Sequence, residues 1–273
     1  MATSSAPLEI GRVVLTVHDL ASVGVFYESV LGLSRLVSEP DRAVYGSGGR
    51  ALIELRADPA ARRSTRREAG LFHTAFLLPS RADLGAWLRH VADRQTPLQG
   101  ASDHLVSEAI YLADPEGNGI EVYRDRPRRD WPRQGDQIAM ATERLDLADL
   151  ANAAQCAWTG APDGTVVGHV HLQVGSLAPA ETFYAGTLGF PVTSRYPGAN
   201  FYASGGYHHH LATNIWNSRN ARQRDFPATG LQAVEILGEK ARLDAIRARA
   251  GADPVDPWGT AFTLTEKEVA HAG

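Results

Sequence analysis

Cysteine is nearly absent from the chain: Cys156 stands alone, so no intrachain disulfide can form, and a lone thiol suits a reducing compartment. Long apolar runs are missing too. Nothing approaches the ~20 residues that span a bilayer. Met1–Pro7 has neither the basic nor the apolar segment of a secretory leader, and a cytoplasmic protein is expected. An excess of either charge is also lacking. A formal net charge of −4 leaves no footprint for nucleic acid, whose binders carry a clear basic surplus. The one basic cluster, Arg124–Arg133 (RDRPRRDWPR), is broken by Pro and Asp and reads as a solvated linker. What remains is 273 residues at 44% hydrophobic content, enough for two globular domains or one large one.

The chain repeats itself. Val17–Gly49 (VHDLASVGVFYESVLGLSRLVSEPDRAVYGSGG) returns 157 residues later, without a gap, as Val174–Gly206 (VGSLAPAETFYAGTLGFPVTSRYPGANFYASGG). Phe26-Tyr27 falls on Phe183-Tyr184, Leu31-Gly32 on Leu188-Gly189 and Gly48-Gly49 on Gly205-Gly206. A fainter pair sets Asp114-Pro115-Glu116-Gly117 against Asp256-Pro257-Trp258-Gly259, an offset of 142. Four related units follow from these matches.

Each unit reads as βαβββ, which makes the class α+β. In the first, Ile10–Val17 is rich in β-branched residues and predicts a strand, and Leu20–Val30 carries an apolar face at helical spacing. Gly32 then suits a helix C-cap, and strands are expected near 34–37, 42–45 and 50–56. The units span 8–58, 70–125, 168–216 and 230–266, giving an N-terminal pair (8–125) and a C-terminal pair (168–266). Residues 126–167 form a linker with one helix expected around 145–153.

Equivalent positions can then be compared. The first strand holds Arg12, His73, His169 and, approximately, Gln232 in units one to four; the last strand holds Glu54, Glu121, Leu211 and Thr263. Units two and three therefore own two imidazoles and a carboxylate. That set suits a borderline divalent metal such as Fe(II), with Mn(II) as a substitute, and leaves positions open for water, substrate or oxygen. Units one and four have lost it.

Other polar residues gather around this set. Alternation through GYHHHLATNIW (206–216) puts His209 on the face of position 211, with His208 and His210 opposite. His209 is then an acid–base candidate or part of a surface polyhistidine strand. Tyr111, ten residues before Glu121 across a DPEGNG hairpin, is a proton donor or a packed aromatic. His104 is a substrate contact or a loop residue, His171 a supporting residue one pair along from His169, and Asn214 and Trp216 line the site or simply pack.

On these residues the chain resembles the vicinal oxygen chelate superfamily, over nearly its whole length. The resemblance implies paired βαβββ modules curled into two cup-shaped, incompletely closed mixed barrels around a metal. It is most similar to the catechol 2,3-dioxygenase branch, which implies Fe(II) on His73, His169 and Glu121, and O₂-dependent cleavage of a catechol beside its two hydroxyls. In that likeness His208-His209-His210-Leu211-Ala212 matches an HHxLA-like strand and makes His209 the acid–base residue. Tyr111 matches the tyrosine ten before the ligand Glu, and His104 corresponds loosely to a substrate-loop histidine; beside the likeness, His171, His210, Asn214 and Trp216 are taken as substrate-binding candidates. The expected partners are a catechol and O₂, with no nucleic acid and no membrane; a homo-oligomer is allowed. The rivals are a metal-dependent isomerase, lyase or thiol transferase, and a metal-free drug-binding protein. One departure stands out: the three ligands fall in units two and three, across the linker, so the expectation is that those two pair in space and leave one and four to close an empty cup.

Overall fold

The strands form where β-branched and aromatic residues concentrate, and Pro and Gly divide them. The computed structural model describes residues 6–267; Met1–Ser5 of the stretch read for a leader lies outside them. Unit one consists of β1 (Leu8–Val17), α1 (Leu20–Ser29), β2 (Ser34–Ser38), β3 (Arg42–Ser47) and β4 (Arg50–Ala57). Unit two is β5 (Gly70–Leu77), α2 (Arg81–Asp93), β6 (Gly100–Asp103), β7 (Ser107–Ala113) and β8 (Gly119–Asp125). After short strands β9 (Arg133–Gln134) and β10 (Gln137–Ile138) and helix α3 (Leu147–Asn152), unit three is β11 (Val166–Gln173), α4 (Leu177–Glu181), β12 (Val192–Tyr196), β13 (Ala199–Tyr202) and β14 (Leu211–Asn214). A π-helical turn over Thr182–Thr187 extends α4.

Unit four departs from the expected pattern. It forms only β15 (Gly230–Gly238), α5 (Lys240–Ala250) and β16 (Ala261–Glu266), a βαβ in place of βαβββ. The stretch between α5 and β16 contains Pro254 and Pro257 and no run of β-formers, so the two middle strands have no sequence to make them. Among the described residues, no helix is long and apolar enough to cross a membrane.

Local signals explain the helix ends. Asp19 accepts a hydrogen bond from the Ser22 backbone N–H at the start of α1, and Ser80 does the same from Asp83 for α2. Past the end of α1 the chain turns through Gly32 at φ +69°, where a Cβ would collide with the backbone of Gly160. Trp87 of α2 is fully buried and donates its indole N–H to the Val30 carbonyl at 2.9 Å, binding unit two to unit one.

The strands order as β16-β15-β1-β4-β3-β2 in one sheet and β12-β13-β14-β11-β5-β8-β7-β6 in the other. Unit one therefore pairs with four, and two with three. The seams are antiparallel, β1 against β15 and β5 against β11. The linker is more than a solvated tether: Trp131, Ile138, Leu145 and Leu150 are buried, and Arg124 and Arg126 pair with Glu108 and Asp103.

In the cup of units one and four, Arg12 occupies the place that His169 holds in the other. Its guanidinium sits 2.9 Å from the buried carboxylate of Glu54, which also accepts from Arg42 and Arg56. Glu235, and not the approximately matched Gln232, is the unit-four residue that meets Arg12. Burial alone would lift the Glu54 carboxyl, but the hydrogen bonds from Arg42 and Arg56 and the charge of Arg12 outweigh it and hold the pKa below the ordinary 4.5. Glu54 therefore stabilises the fold above pH 4.5 and ceases to as pH falls through its lowered value. Glu54→Gln is expected to cost about 2–3 kcal/mol at pH 7. In denaturant titrations the gap from wild type should close as the pH is taken below 4.5.

Candidate metal centre and its cavity

The β5–β11 seam sets the positions of three of the histidines. His171 lies directly opposite His73 in the antiparallel register, and His169, two residues away, shares their face. A register shift at Gly168 precedes it. A Cβ on Gly168 would overlap the Tyr123 hydroxyl, so glycine there lets Tyr123 pack on the His169 ring, centroids 4.9 Å apart. On the other side β8 runs parallel to β5 with Glu121 opposite Ala75, and β7 brings Tyr111 opposite Glu121. Tyr111, Glu121, Ala75 and His169 thus form one row across the sheet. Ala75 is the small member, and it leaves space between the carboxylate and the imidazole.

The three donor atoms make a small triangle. His73 Nε2 lies 3.0 Å from Glu121 Oε2, His169 Nε2 lies 3.3 Å from the same oxygen, and the two nitrogens are 3.4 Å apart. Ligands bound at ~2.0–2.2 Å on one face of an ion are spaced about 3 Å apart, so these edges fit a single divalent metal. The electrostatics fit as well. Burial lowers the His169 pKa to about 4 against the opposing pull of Glu121, so the ring is neutral and its lone pair free. Burial opposes ionisation of Glu121, yet the facing His169 and His73 overcome it and hold the carboxyl well below the ordinary range. His169 Nδ1 has no hydrogen-bond partner among the described residues.

Behind the triangle runs a chain of hydrogen bonds that the repeat comparison had not shown. His208 Nε2 lies 2.8 Å from Asp125 Oδ1, and His208 Nδ1 lies 2.7 Å from His209 Nδ1. The tautomers follow from the partners. The carboxylate can only accept, so His208 carries its proton on Nε2, and its bare Nδ1 accepts from His209 Nδ1–H. His209 is left with an unprotonated Nε2 as its free edge. Tyr207 donates to the same Asp125 oxygen at 3.1 Å. Burial, and then the neighbouring imidazoles, push the His209 pKa well below 6.5.

A second set of bonds holds Tyr111. His104 donates from Nδ1 to the Ala141 carbonyl at 2.7 Å, which leaves Nε2 to accept from the Tyr111 hydroxyl at 2.5 Å. Burial and the charge of Glu121 raise the Tyr111 pKa well above 10, so it stays a proton donor. His73, Glu121, His169, His171, His209, Tyr111, His104 and Trp216 all line one cavity. Two expected members do not. His210 turns away against Phe190 and Tyr207 and accepts from the Ser204 backbone at Nδ1, while Asn214 is buried behind His171 and donates to its Nε2 at 3.0 Å. His210 belongs to the Gly206–His210 turn before β14 and stays out of the cavity that His209 lines, while Asn214 lies within β14 and spends its amide on His171. Asp125 and His208 went unread because no repeat position marks them; the only sequence signal was an acidic residue closing the strand of Glu121.

Residues 9–122 and 166–265 match the family described as the Glyoxalase/Bleomycin resistance protein/Dioxygenase superfamily. A protein named catechol-2,3-dioxygenase from Bacillus subtilis (strain 168) is 38% identical over 247 residues, covering 88% of this chain and 86% of that protein. Among solved structures, a putative dioxygenase from Bacillus subtilis aligns with a TM-score of 0.65 at 13% identity, covering 96% of this chain and 87% of that one. A mutant of glyoxalase I from Zea mays aligns at 0.58 and 15% identity, covering 97% of each, and both likenesses speak for the fold.

The donor triangle yields a direct expectation. Glu121→Gln, which keeps the shape and removes the charge, should weaken Mn(II) or Fe(II) binding by at least about 100-fold. Anaerobic metal titration of the purified variant measures it, and unchanged affinity removes Glu121 from the ligand set.

Proposed function

The chain belongs to the glyoxalase/bleomycin resistance protein/dioxygenase superfamily, and within it we propose an Fe(II)-dependent extradiol dioxygenase that cleaves a catechol with O₂. One observation carries the reading: a His73–His169–Glu121 triangle that faces a cavity lined also by His209 and Tyr111. The 38% identical relative named for that activity supports it.

In this reading His73, His169 and Glu121 hold the metal, which supplies Lewis acidity toward two vicinal oxygens and an electron path between ring and O₂. The rest belongs to the chain's own groups. His209 Nε2 takes a proton from a catechol hydroxyl, because its Nδ1–H is already committed to His208 and Asp125 holds that ring in turn. Tyr111, held by His104, is placed to donate a proton to an oxygen of the opening ring. His171 is oriented from behind by Asn214 and presents a neutral ring to the substrate. The glyoxalase-type alternative calls for a second acidic ligand, and the unit-three position that corresponds to Glu54 is the buried, apolar Leu211.

Oxygen uptake with a catechol panel, on protein loaded anaerobically with Fe(II), tests the activity; turnover that needs no O₂ would overturn it. His209→Ala is expected to retain iron and lose about 10²–10⁴ in kcat. Loss of iron in that variant would instead make His209 a ligand. Asp125→Asn should lower kcat with little change in KM, since it disturbs the tautomer of His208 and leaves the cavity wall intact.

A further inference from the structure

The cavity in front of the donor triangle encloses about 220 Å³, and among the described residues no lysine or arginine lines it. Its outer wall is apolar and aromatic: Phe72, Met140, Tyr196, Phe201 and Trp216. Trp216 meets Phe72 and His171 edge-on, each at 5.5 Å between centroids, and Phe201 packs on His209 at 5.0 Å. Tyr196 and Trp216 remain about half exposed, which puts an aromatic rim at the mouth.

Three arginines on the elements around the cavity are engaged elsewhere, whereas Arg66 borders an adjoining cavity that shares Phe72, His73 and Tyr111. Arg195, between the lining residues Ser194 and Tyr196 on β12, is held in a two-pronged pair by Glu181 at 2.6 and 2.7 Å. Arg124 and Arg126 are taken by Glu108 and Asp103. The cavity's imidazoles are bonded within the protein, His104 to Ala141 and Tyr111, His171 to Asn214 and His209 to His208, and, the donor triangle apart, the remaining polar lining is the uncharged hydroxyls of Ser102, Thr142 and Ser194. The linker completes the wall, since Met140–Thr142 face the cavity and the chain there is bonded to Asp103 and His104.

Resting on the dioxygenase reading, we propose that the substrate class is the neutral catechol bearing an apolar substituent, alkyl or aryl, and that the linker residue Met140 sets this preference together with Trp216. A ring whose two oxygens face His73, His169 and Glu121 projects its substituent toward the aromatic rim. There an apolar group gains burial. A carboxylate at the same place loses its water and finds no cation, so it is rejected by desolvation without any steric clash.

The test is a substrate panel on Fe(II)-loaded protein: catechol, 3- and 4-alkylcatechols, a phenyl-substituted catechol and catechols carrying a carboxylate. Alkyl and aryl catechols should exceed carboxylated ones in kcat/KM by at least about 100-fold. Anaerobic calorimetric titration of the same compounds should show the same order in Kd, a readout that needs no turnover. Met140→Lys should shrink the gap by about tenfold or more by supplying the missing cation. Carboxylated catechols used as well as alkylated ones, or an unchanged ratio in Met140→Lys, overturns this inference and leaves the dioxygenase reading standing. Failure of every catechol to bind or turn over strikes the dioxygenase reading itself.

Discussion

Everything distinctive about this molecule depends on the antiparallel pairing of β5 with β11. Those two strands are far apart in sequence, and their ladder sets His171 against His73 and brings His169 within 3.4 Å of His73. The parallel neighbour β8 adds Glu121 to the same face. Because side chains alternate with a period of two, a slip of one residue along the seam would leave His73 and His169 on opposite faces of the sheet. The bulge at Gly168 is part of that register, and only a residue without a side chain gives Tyr123 its place against His169.

The two cups show what one scaffold does with opposite electrostatic contents. Between units two and three, burial lowers the pKa of His169, His171 and His209 around a single carboxylate, and the result is a donor set with open sides. Between units one and four, an arginine stands where the imidazole would be, and three guanidinium groups surround Glu54. One arrangement leaves lone pairs available. The other consumes them internally, so the second cup contributes to stability and has no donors left to offer.

Much of this was legible in the chain itself. The 157-residue offset identified Arg12 with His169 and Glu54 with Leu211, and so exposed which pair of units kept the donors; the pairing of two with three followed from that requirement, and the sheet order agrees. Helix α1, its Gly32 turn and the Tyr111–Glu121 hairpin followed from spacing and turn chemistry. What did not follow depends on tertiary contact. His210 and Asn214 were expected to meet the substrate, whereas His210 packs on Phe190 and Tyr207 and Asn214 bonds to His171, and unit four was expected to have two strands its sequence does not support. The Asp125–His208–His209 chain joins residues 83 and 1 positions apart, which no periodicity relates. The basic start of the linker read as solvent-facing, yet Trp131 and Ile138 are buried with Val106, Ala203 and Tyr207, and Met140 lines the cavity.

The crossed pairing of units also governs the order in which the protein can come into being. While the chain emerges from the ribosome, β1 and β5 each have one partner, β4 and β8, and each presents its other edge unpaired. The partners of those edges, β11 and β15, are made only after the linker, so the first 125 residues cannot bury their own seam strands. Such edges are templates for pairing with other chains. The early half of the polypeptide thus carries two open edges, and the face that gathers His73, Glu121 and His169 is complete only once β11 has been made.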